Sequence, residues 1–160
     1  MDLGSGAGLP GVPLAIAVPE KRFTLCDRSE RRVRFLQQVI LQLDLKNAST
    51  WLGDIGRDYP ANEAFDTVVA RGVATACEVW SMVQPRLSPS GRVLVYESTQ
   101  LQAQSASTDQ ESGATEDVPE QCSLSRYHFE IPGLREVHTV VCLEHLKPKT
   151  DESTLVKNYD

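Results

Sequence analysis

The residues with the clearest chemical pattern are an acid and four glycines near the start of the chain: Asp2, Gly4, Gly6, Gly8 and Gly11. Glycine adopts positive φ without strain and lets the backbone come close to a ligand. A glycine-rich turn ahead of a helix also presents N–H groups at the positive end of the helix dipole. The pattern therefore predicts a loop that binds a nucleotide.

Two later acids extend this prediction. Asp27 closes an apolar run and lies nineteen residues beyond Gly8, the spacing at which an acid accepts hydrogen bonds from a ribose. Asp54 follows the next predicted strand, in the stretch Gly53-Asp54-Ile55, and its carboxylate is expected to meet an adenine amino group. The loop and the two acids together predict an adenosine site.

The glycine spacing fits two kinds of cofactor. Gly6, Gly8 and Gly11 satisfy G-x-G-x-x-G, which favours an NAD-dependent oxidoreductase, although we find no general acid such as a Tyr-Lys pair for that chemistry. The longer pattern of Asp2 with Gly4, Gly6 and Gly8 resembles motif I of class I S-adenosylmethionine-dependent methyltransferases. There the acid faces the methionine ammonium group, in space that a dinucleotide enzyme leaves for pyrophosphate. A glycine-rich turn without a ligand is the remaining interpretation.

The elements that must position these residues alternate between strand and helix through the first 97 residues. We predict helices over 9–18, 28–43 and 74–87, and strands over 22–26, 47–52, 65–70, 91–97, 123–131 and 135–146. The alternation predicts an α/β fold with a doubly wound, mostly parallel sheet and an antiparallel C-terminal strand pair. The first strand is largely missing, because the chain starts at the glycine loop. Ligands of such sheets lie at the carboxyl ends of the strands.

Two details of this prediction concern apolar spacing and stop signals. The longest helix carries an apolar stripe that recurs at helical spacing: Val33, Leu36, Ile40 and Leu43, widened by Phe35 and Val39. Pro89 and Gly91 are expected to separate the third helix from the strand that follows.

Length and composition indicate one domain over residues 1–147, with a polar acidic loop over 98–121 and a flexible tail over 148–160. Residues 97–120 contain six carboxylates and no Lys or Arg, which equals the net charge of −6 for the whole chain. A local basic patch therefore stays possible on the rest of the surface. No apolar run approaches the roughly 18–20 residues of a membrane helix, and a cytoplasmic location is expected.

The cysteines lack the spacing of a metal site. Four are present and none forms a CxxC pair: Cys26, Cys77, Cys122 and Cys142. The prediction is free thiols and no metal.

A narrower resemblance covers most of the chain. Residues 2–17, with the Leu9-Pro10-Gly11 extension of the loop, are similar to the signature of the RsmG family, also called glucose-inhibited division protein B. Residues 32–36, 65–74 and the closing pair 132–141 resemble further segments of that family. The family has a helical region of some tens of residues ahead of the loop, so the resemblance implies an N-terminally truncated relative.

The resemblance implies a function and a set of contacts. Members of the family methylate N7 of a guanine in 16S ribosomal RNA with S-adenosylmethionine. The implied partner is 16S ribosomal RNA or a precursor of the small ribosomal subunit, with no membrane, and a monomer is expected. The implied cofactor contacts are Gly4, Leu9, Ile55, Gly56 and Arg71. To these the general pattern of the class adds Asp2, Gly6, Gly8, Asp27 and Asp54.

The chemistry of N7 methylation agrees with what the sequence lacks. Guanine N7 has a free lone pair, so no general base is required and catalysis is mainly alignment for an in-line displacement. We therefore predict no catalytic residue beyond Arg71, which lies at the rim where the methyl acceptor must enter and is expected to serve the cofactor or the RNA. Methylation of cytosine at C5 would instead need an activated cysteine nucleophile in a Pro-Cys pair. The sequence contains no such pair.

Basic residues cluster where the second helix begins: Arg28, Arg31, Arg32 and Arg34. Cations there oppose the helix dipole. Phosphate contact, for which we select Arg28, Arg31 and Arg34, is one explanation, and a solvated helix face is the other. Where the family shows a Lys-Gly pair after the fifth strand, this chain has Glu97-Ser98, so a nucleotide- or RNA-binding relative without activity is the alternative function.

Overall fold

The computed structural model describes residues 1–60, 63–97, 119, 122–133 and 137–146. The elements in chain order are β1 (Asp2–Leu3), α1 (Gly11–Ala17), β2 (Phe23–Asp27), α2 (Glu30–Gln42), β3 (Ala48–Leu52), β4 (Phe65–Arg71), α3 (Ala76–Val83), a 3-10 turn (Gln84–Arg86), β5 (Leu87–Glu97), β6 (Cys122–Glu130) and β7 (Val137–His145). The predicted acidic loop over 98–121, apart from Pro119, and the predicted tail over 148–160 lie outside the described residues.

One sheet with the strand order β3-β2-β1-β4-β5-β7-β6 organises the fold. Strands β1 to β5 run parallel to one another, and β7 pairs antiparallel with both β5 and β6. This confirms the predicted doubly wound sheet with an antiparallel C-terminal pair. The strand order reverses between β1 and β4, and that reversal is where open α/β sheets bind ligands.

Strand β1 is central although it has two residues. Leu3 lies between Cys26 on β2 and Ala70 on β4. Ahead of it, the Met1 ammonium group donates to the Thr67 carbonyl over 2.7 Å. The short strand therefore holds the glycine loop in the middle of the carboxyl edge of the sheet.

Each face of the sheet has its own apolar cluster. On one face α3 packs on β4, β5 and β7, and Trp80 of α3 is buried with Val68 and Val93 of the sheet. On the other face α1 and α2 cover Leu25 of β2 through the buried Leu36 and partners. Right-handed crossovers in opposite directions from the centre of the sheet produce these two layers.

The predicted apolar stripe of α2 is too wide. Val33 and Leu36 are buried as predicted, but Phe35 is 51% exposed and Leu43 is 50% exposed. Phe35 is turned by about 100° from Leu36 around the helix, and Leu43 lies beyond the last helical residue. One narrow row of side chains therefore attaches α2 to the sheet.

The predicted bounds of the third helix and fifth strand are wrong. Helix α3 begins at Ala76 because Thr75 and Glu78 form a capping box, which fixes a helix start. Strand β5 begins at Leu87, four residues before the predicted start at Gly91, and runs through Pro89.

A bulge explains why β5 tolerates Pro89 and Gly91. The pairing with β4 shifts register between Phe65 and Thr67, and a bulge accommodates residues that regular pairing does not. A Cβ atom on Gly91 would lie 2.9 Å from the Phe65 carbonyl oxygen. The absence of a side chain at Gly91 is therefore what lets the two strands approach.

In the described part of the chain no helix is long and apolar enough to cross a membrane. All four cysteines are free thiols, as predicted.

The two faces of α2 predict different responses to the same substitution. Leu36→Ala removes a fully buried side chain and should lower the free energy of unfolding by about 2–5 kcal/mol. Leu41→Ala in the same helix, at 74% exposure, should change it by less than about 0.5 kcal/mol. Urea denaturation of both variants measures the difference, and equal losses would contradict the burial pattern.

Candidate functional site

The glycine loop is a tight turn that runs directly into α1. The Ser5 amide donates to the Cys26 carbonyl over 2.9 Å, which extends the pairing of β1 with β2 by one step. The Gly8 and Leu9 amides then donate to the Ser5 carbonyl over 2.8 and 3.2 Å. The loop therefore leaves the sheet and turns into the helix within five residues.

Asp2 ties the two ends of this loop together. Its Oδ2 accepts hydrogen bonds from the Ser5 hydroxyl at 2.6 Å and from the Gly11 amide at 2.9 Å. The carboxylate is 1% exposed, and burial raises the pKa of Asp2 although the bonds to Ser5 and Gly11 oppose the shift. Its other oxygen, Oδ1, is buried without a hydrogen-bond partner among the described residues. One polar atom beneath the loop is therefore left for another donor.

Two glycines of the pattern are needed for packing. A Cβ atom on Gly11 would lie 2.5 Å from Asp2 Oδ2 and would also collide with the Leu25 side chain. Gly8 has φ of +89°, and its Cβ would lie 2.6 Å from Val12 Cγ2. The lack of a side chain at Gly8, which sequence spacing assigns to the ligand, therefore also lets the loop pack closely on Val12 of α1 and Leu36 of α2.

Asp27, at the end of β2, joins the loop to the next helix. Its Oδ2 accepts from the Gly6 amide at 3.0 Å and lies 3.4 Å from Arg32 Nη1. Its Oδ1 accepts from the Ser29 amide at 2.9 Å. The structure thus brings together the glycine loop and the acid nineteen residues beyond it, as the spacing predicts, and Asp27 is 4% exposed.

The turn after β3 lies alongside Asp27 at the same edge. The Gly53 amide donates to the Asp27 carbonyl over 3.2 Å. Asp54 Oδ1 accepts from the Gly56 amide at 3.0 Å, and the Asp54 amide donates to Asp58 Oδ2 over 3.1 Å. Asp58 was not predicted as a site residue. Its position four residues after Asp54 is the one feature of the sequence that could have indicated this contact within the turn.

The side chain of Ile55 is in the core and away from the edge. It is 2% exposed and belongs to the cluster that includes Tyr59. If Ile55 contacts the cofactor as predicted, it does so through its backbone atoms. Gly56, the next predicted contact, is exposed.

Arg71 is the last residue of β4 and is exposed. It follows Ala70, which pairs with Leu3 at the end of β1, so it lies beside the start of the glycine loop. Its positive charge lowers the pKa of Asp2, in opposition to the larger effect of burial. Arg71 makes no ion pair with a described residue and is free to meet an anionic group.

The arginines in α2 and just ahead of it divide into two groups. Arg28 and Arg32 point toward the edge, where Arg28 Nη1 lies 3.7 Å from Asp54 Oδ2 and Arg32 reaches Asp27. Arg34 pairs with Glu30 one helical turn away. Arg31 is exposed without an ion pair in the described part of the chain. Arg28, predicted to bind RNA, therefore lies beside Asp54, one of the acids predicted to bind the cofactor.

The site has few groups for covalent or metal chemistry. Burial raises the pKa of the Cys26 thiol, the cysteine next to Asp27, to about 11, so it stays protonated near neutral pH. The described residues contain no cluster of three side chains that could hold a metal ion. What the edge offers is backbone amides, carboxylates and exposed guanidinium groups, which suits binding and alignment of a nucleoside.

Comparison with known proteins finds one family model and several similar sequences. Residues 1–127 match the family model of rRNA small subunit methyltransferase G (GidB). The proteins called ribosomal RNA small subunit methyltransferase G from Methylococcus capsulatus, Leuconostoc citreum and Coxiella burnetii are 32%, 41% and 34% identical over 154, 98 and 109 residues. These matches include 96%, 59% and 68% of this chain, which spans 68%, 41% and 53% of the respective relatives.

Solved structures with the same fold share little sequence. TrmN from Thermus thermophilus is 19% identical with a TM-score of 0.62, over 91% of this chain and 43% of that one. The plantazolicin methyltransferase BpumL, solved with SAH, is 14% identical with a TM-score of 0.63, over 91% and 76%. At these identities the likeness shows the fold alone.

The raised pKa of Asp2 predicts how pH affects stability. The folded chain holds the Asp2 proton more tightly than the unfolded chain, so ionised Asp2 lowers stability at neutral pH, and this loss is recovered as pH falls through the folded pKa. Asp2→Asn keeps an oxygen acceptor without charge, and its advantage in melting temperature over wild type should shrink between pH 7 and pH 4.

Thermal melts at several pH values measure this difference. Asp44→Asn, which changes an exposed carboxylate paired with Lys46, is the matched control and should show no such trend. An advantage of Asp2→Asn that stays constant with pH would contradict the assignment.

Proposed function

The chain belongs to the family of rRNA small subunit methyltransferase G, and on that premise we propose that it transfers a methyl group from S-adenosylmethionine to N7 of a guanine in 16S ribosomal RNA. The observation that carries the proposal is the bond from the Gly6 amide to Asp27 Oδ2. It joins the glycine loop, which follows the strand beside which the strand order reverses, to an acid at the end of β2 that is suited to a ribose.

The residues at this edge fit S-adenosylmethionine. Asp2 Oδ1 is a buried acceptor without a partner among the described residues, which suits a ligand that carries an ammonium group. A Cβ atom on Gly6 would meet only the Gly4 carbonyl within 4 Å, so the loop is open on that side. The glycine loop with Leu9 would hold the methionine part, Asp27 the ribose, and residues 54–56 the adenine.

The main contribution of the protein to the transfer step is alignment of the two reactants. The cofactor supplies a methyl group on a positively charged sulfur. The N7 lone pair of the guanine would displace the neutral thioether, S-adenosylhomocysteine, from that carbon and the positive charge would pass to the base, so no side chain would have to remove a proton first. Holding two reactants in line contributes much of the acceleration of such reactions. Arg71, exposed beside the loop, is the positioning group for either the cofactor carboxylate or an RNA phosphate.

The charge distribution supports an RNA partner despite the acidic total. The six carboxylates within 97–120 account for the net charge of −6. Arg31 and Arg34 are exposed on α2 near the carboxyl edge, where Arg31 can meet a phosphate and Arg34 can exchange its exposed pair with Glu30 for one. We place the reaction in the cytoplasm, on a precursor of the small subunit and by a monomer.

A transfer assay tests the proposed function. Small ribosomal subunits or 16S RNA lacking the modification are incubated with this chain and S-adenosylmethionine labelled in the methyl group. We expect label in 16S RNA that digestion identifies as N7-methylguanosine, and none in 23S RNA. Binding of S-adenosylhomocysteine by calorimetry without any transfer would instead establish a binding protein, and label in another base would contradict the acceptor.

The two groups of arginines predict separable effects. Arg31→Glu with Arg34→Glu should weaken 16S RNA binding roughly tenfold and flatten its salt dependence, because phosphate contacts release counterions, while the dissociation constant of S-adenosylhomocysteine stays unchanged. Arg32→Glu should weaken cofactor binding as well, since it places a carboxylate beside Asp27.

Lys21→Glu is the control for net charge, because Lys21 precedes β2 at the opposite edge of the sheet. Filter binding and calorimetry give the two constants for each variant. Equal loss of RNA and cofactor binding in the Arg31/Arg34 variant would overturn its assignment to RNA.

A further inference from the structure

Three rings lie on adjacent strands at the carboxyl edge, beyond the cofactor residues. Tyr96 of β5 pairs in register with Arg71 of β4, and both lie one residue beyond the row of Leu3, which precedes the glycine loop. His138 of β7 pairs with Phe129 of β6, nearer still to that edge. We call Tyr96, Phe129 and His138 the ring cluster.

The members of the ring cluster are in direct contact. Tyr96 Oη and His138 Nδ1 share a hydrogen bond. The Phe129 ring stacks on the His138 ring with centroids 5.8 Å apart and planes at 29°, and the Tyr96 ring lies at the same centroid distance on the other strand. The imidazole is thus fixed between two aromatic neighbours.

The ring cluster is not part of the apolar core. Val95 of β5 and Val141 of β7 belong to the core cluster on the face covered by α3. Side chains alternate between the two faces along a strand, so Tyr96, one residue from Val95, and His138, three residues from Val141, point to the other face. There α1 and α2 pack on β2 and β3. Phe129 is 41% exposed, and Tyr127, on the same face, is 58% exposed.

One polar atom of the cluster has no structural role. His138 Nε2 is buried without a hydrogen-bond partner among the described residues. An unsatisfied buried polar atom costs stability, and an apolar residue would fill a purely structural position better. A histidine kept in this state beside a ligand edge indicates a role in binding.

We propose that the ring cluster is the platform on which a base of the acceptor RNA stacks, next to the methyl-transfer site. The proposal rests on the function proposed above and adds residues that recognise the RNA. Sequence-specific RNA binding commonly stacks unpaired bases on Phe, Tyr and His rings. The occupant follows from continuity, because Arg71 and Tyr96 are paired neighbours and the platform begins where the cofactor site ends.

Each ring of the cluster has its own role in the proposed stacking. Phe129 presents an open aromatic surface, His138 lies directly behind it, and the Tyr96 hydroxyl fixes the imidazole orientation. Arg71 beside them supplies a positive charge for a phosphate of the same strand. A stacking surface with a cation at its rim is the combination that single-stranded nucleic acid requires.

The test compares substitutions that keep or remove the outer ring. Phe129→Leu removes it, Phe129→Trp keeps a stacking surface, and Ser125→Ala is the control on the same strand and face, four residues from the edge. Binding of unmodified 16S RNA to protein saturated with S-adenosylhomocysteine is measured by filter binding with transfer RNA as competitor. Calorimetry with S-adenosylhomocysteine and thermal melts check each variant for an intact cofactor site and fold.

We expect Phe129→Leu to weaken RNA binding roughly 5- to 100-fold and to raise KM for RNA, with the cofactor constant unchanged. Phe129→Trp should restore binding to near the wild-type value, and Ser125→Ala should match wild type. Unchanged RNA binding in Phe129→Leu, or equal losses in the Leu and Trp variants, would overturn the proposal while cofactor binding and transfer by wild type keep the proposed function. A concentration-dependent dimer in sedimentation velocity that Phe129→Leu abolishes would overturn it in favour of a second copy.

Discussion

The buried carboxylate of Asp2 is the interaction on which the rest of the site depends. It is 1% exposed and accepts from Ser5 and Gly11 at opposite ends of the loop. A buried carboxylate is costly unless hydrogen bonds compensate for lost water, and here the two bonds from the loop offset only part of that cost. The loop therefore keeps one shape, with α1 pressed against β2.

The other contacts at the edge build outward from this clamp. Asp27 takes up the Gly6 amide and so fixes the middle of the loop, and the turn after β3 is held to Asp27 by the Gly53 amide. A binding site made in this way is preorganised, because its donors already occupy their places before a ligand arrives. We place the cofactor half of the proposed site over β1 to β3 and the RNA half over β4, β5, β7 and β6, with Arg71 at their boundary.

Much of this arrangement could be predicted from the sequence. Glycine spacing, the acid after the second strand and the alternation of strand and helix are local signals, and they locate the loop, Asp27 and the sheet. Contacts between distant residues leave no such signal. The closeness of Gly11 to Asp2 and Leu25, the pairing of Arg28 with Asp54, and the bulge at Gly91 all depend on how strands meet. The ring cluster was missed for the same reason, since register alone brings Tyr96 to His138.

The most direct test of the account is a residue-resolved titration of the chain with S-adenosylhomocysteine, followed by amide NMR. The account predicts saturable shifts of the amides of Gly4 to Leu9, of Asp27 and of residues 54–56, with smaller shifts at Arg71. The Gly11 amide, held by Asp2, should stay protected from hydrogen exchange throughout. Shifts confined to other surfaces, or no shifts in the glycine loop at saturating ligand, would contradict the claim that this loop is the methyl-donor site.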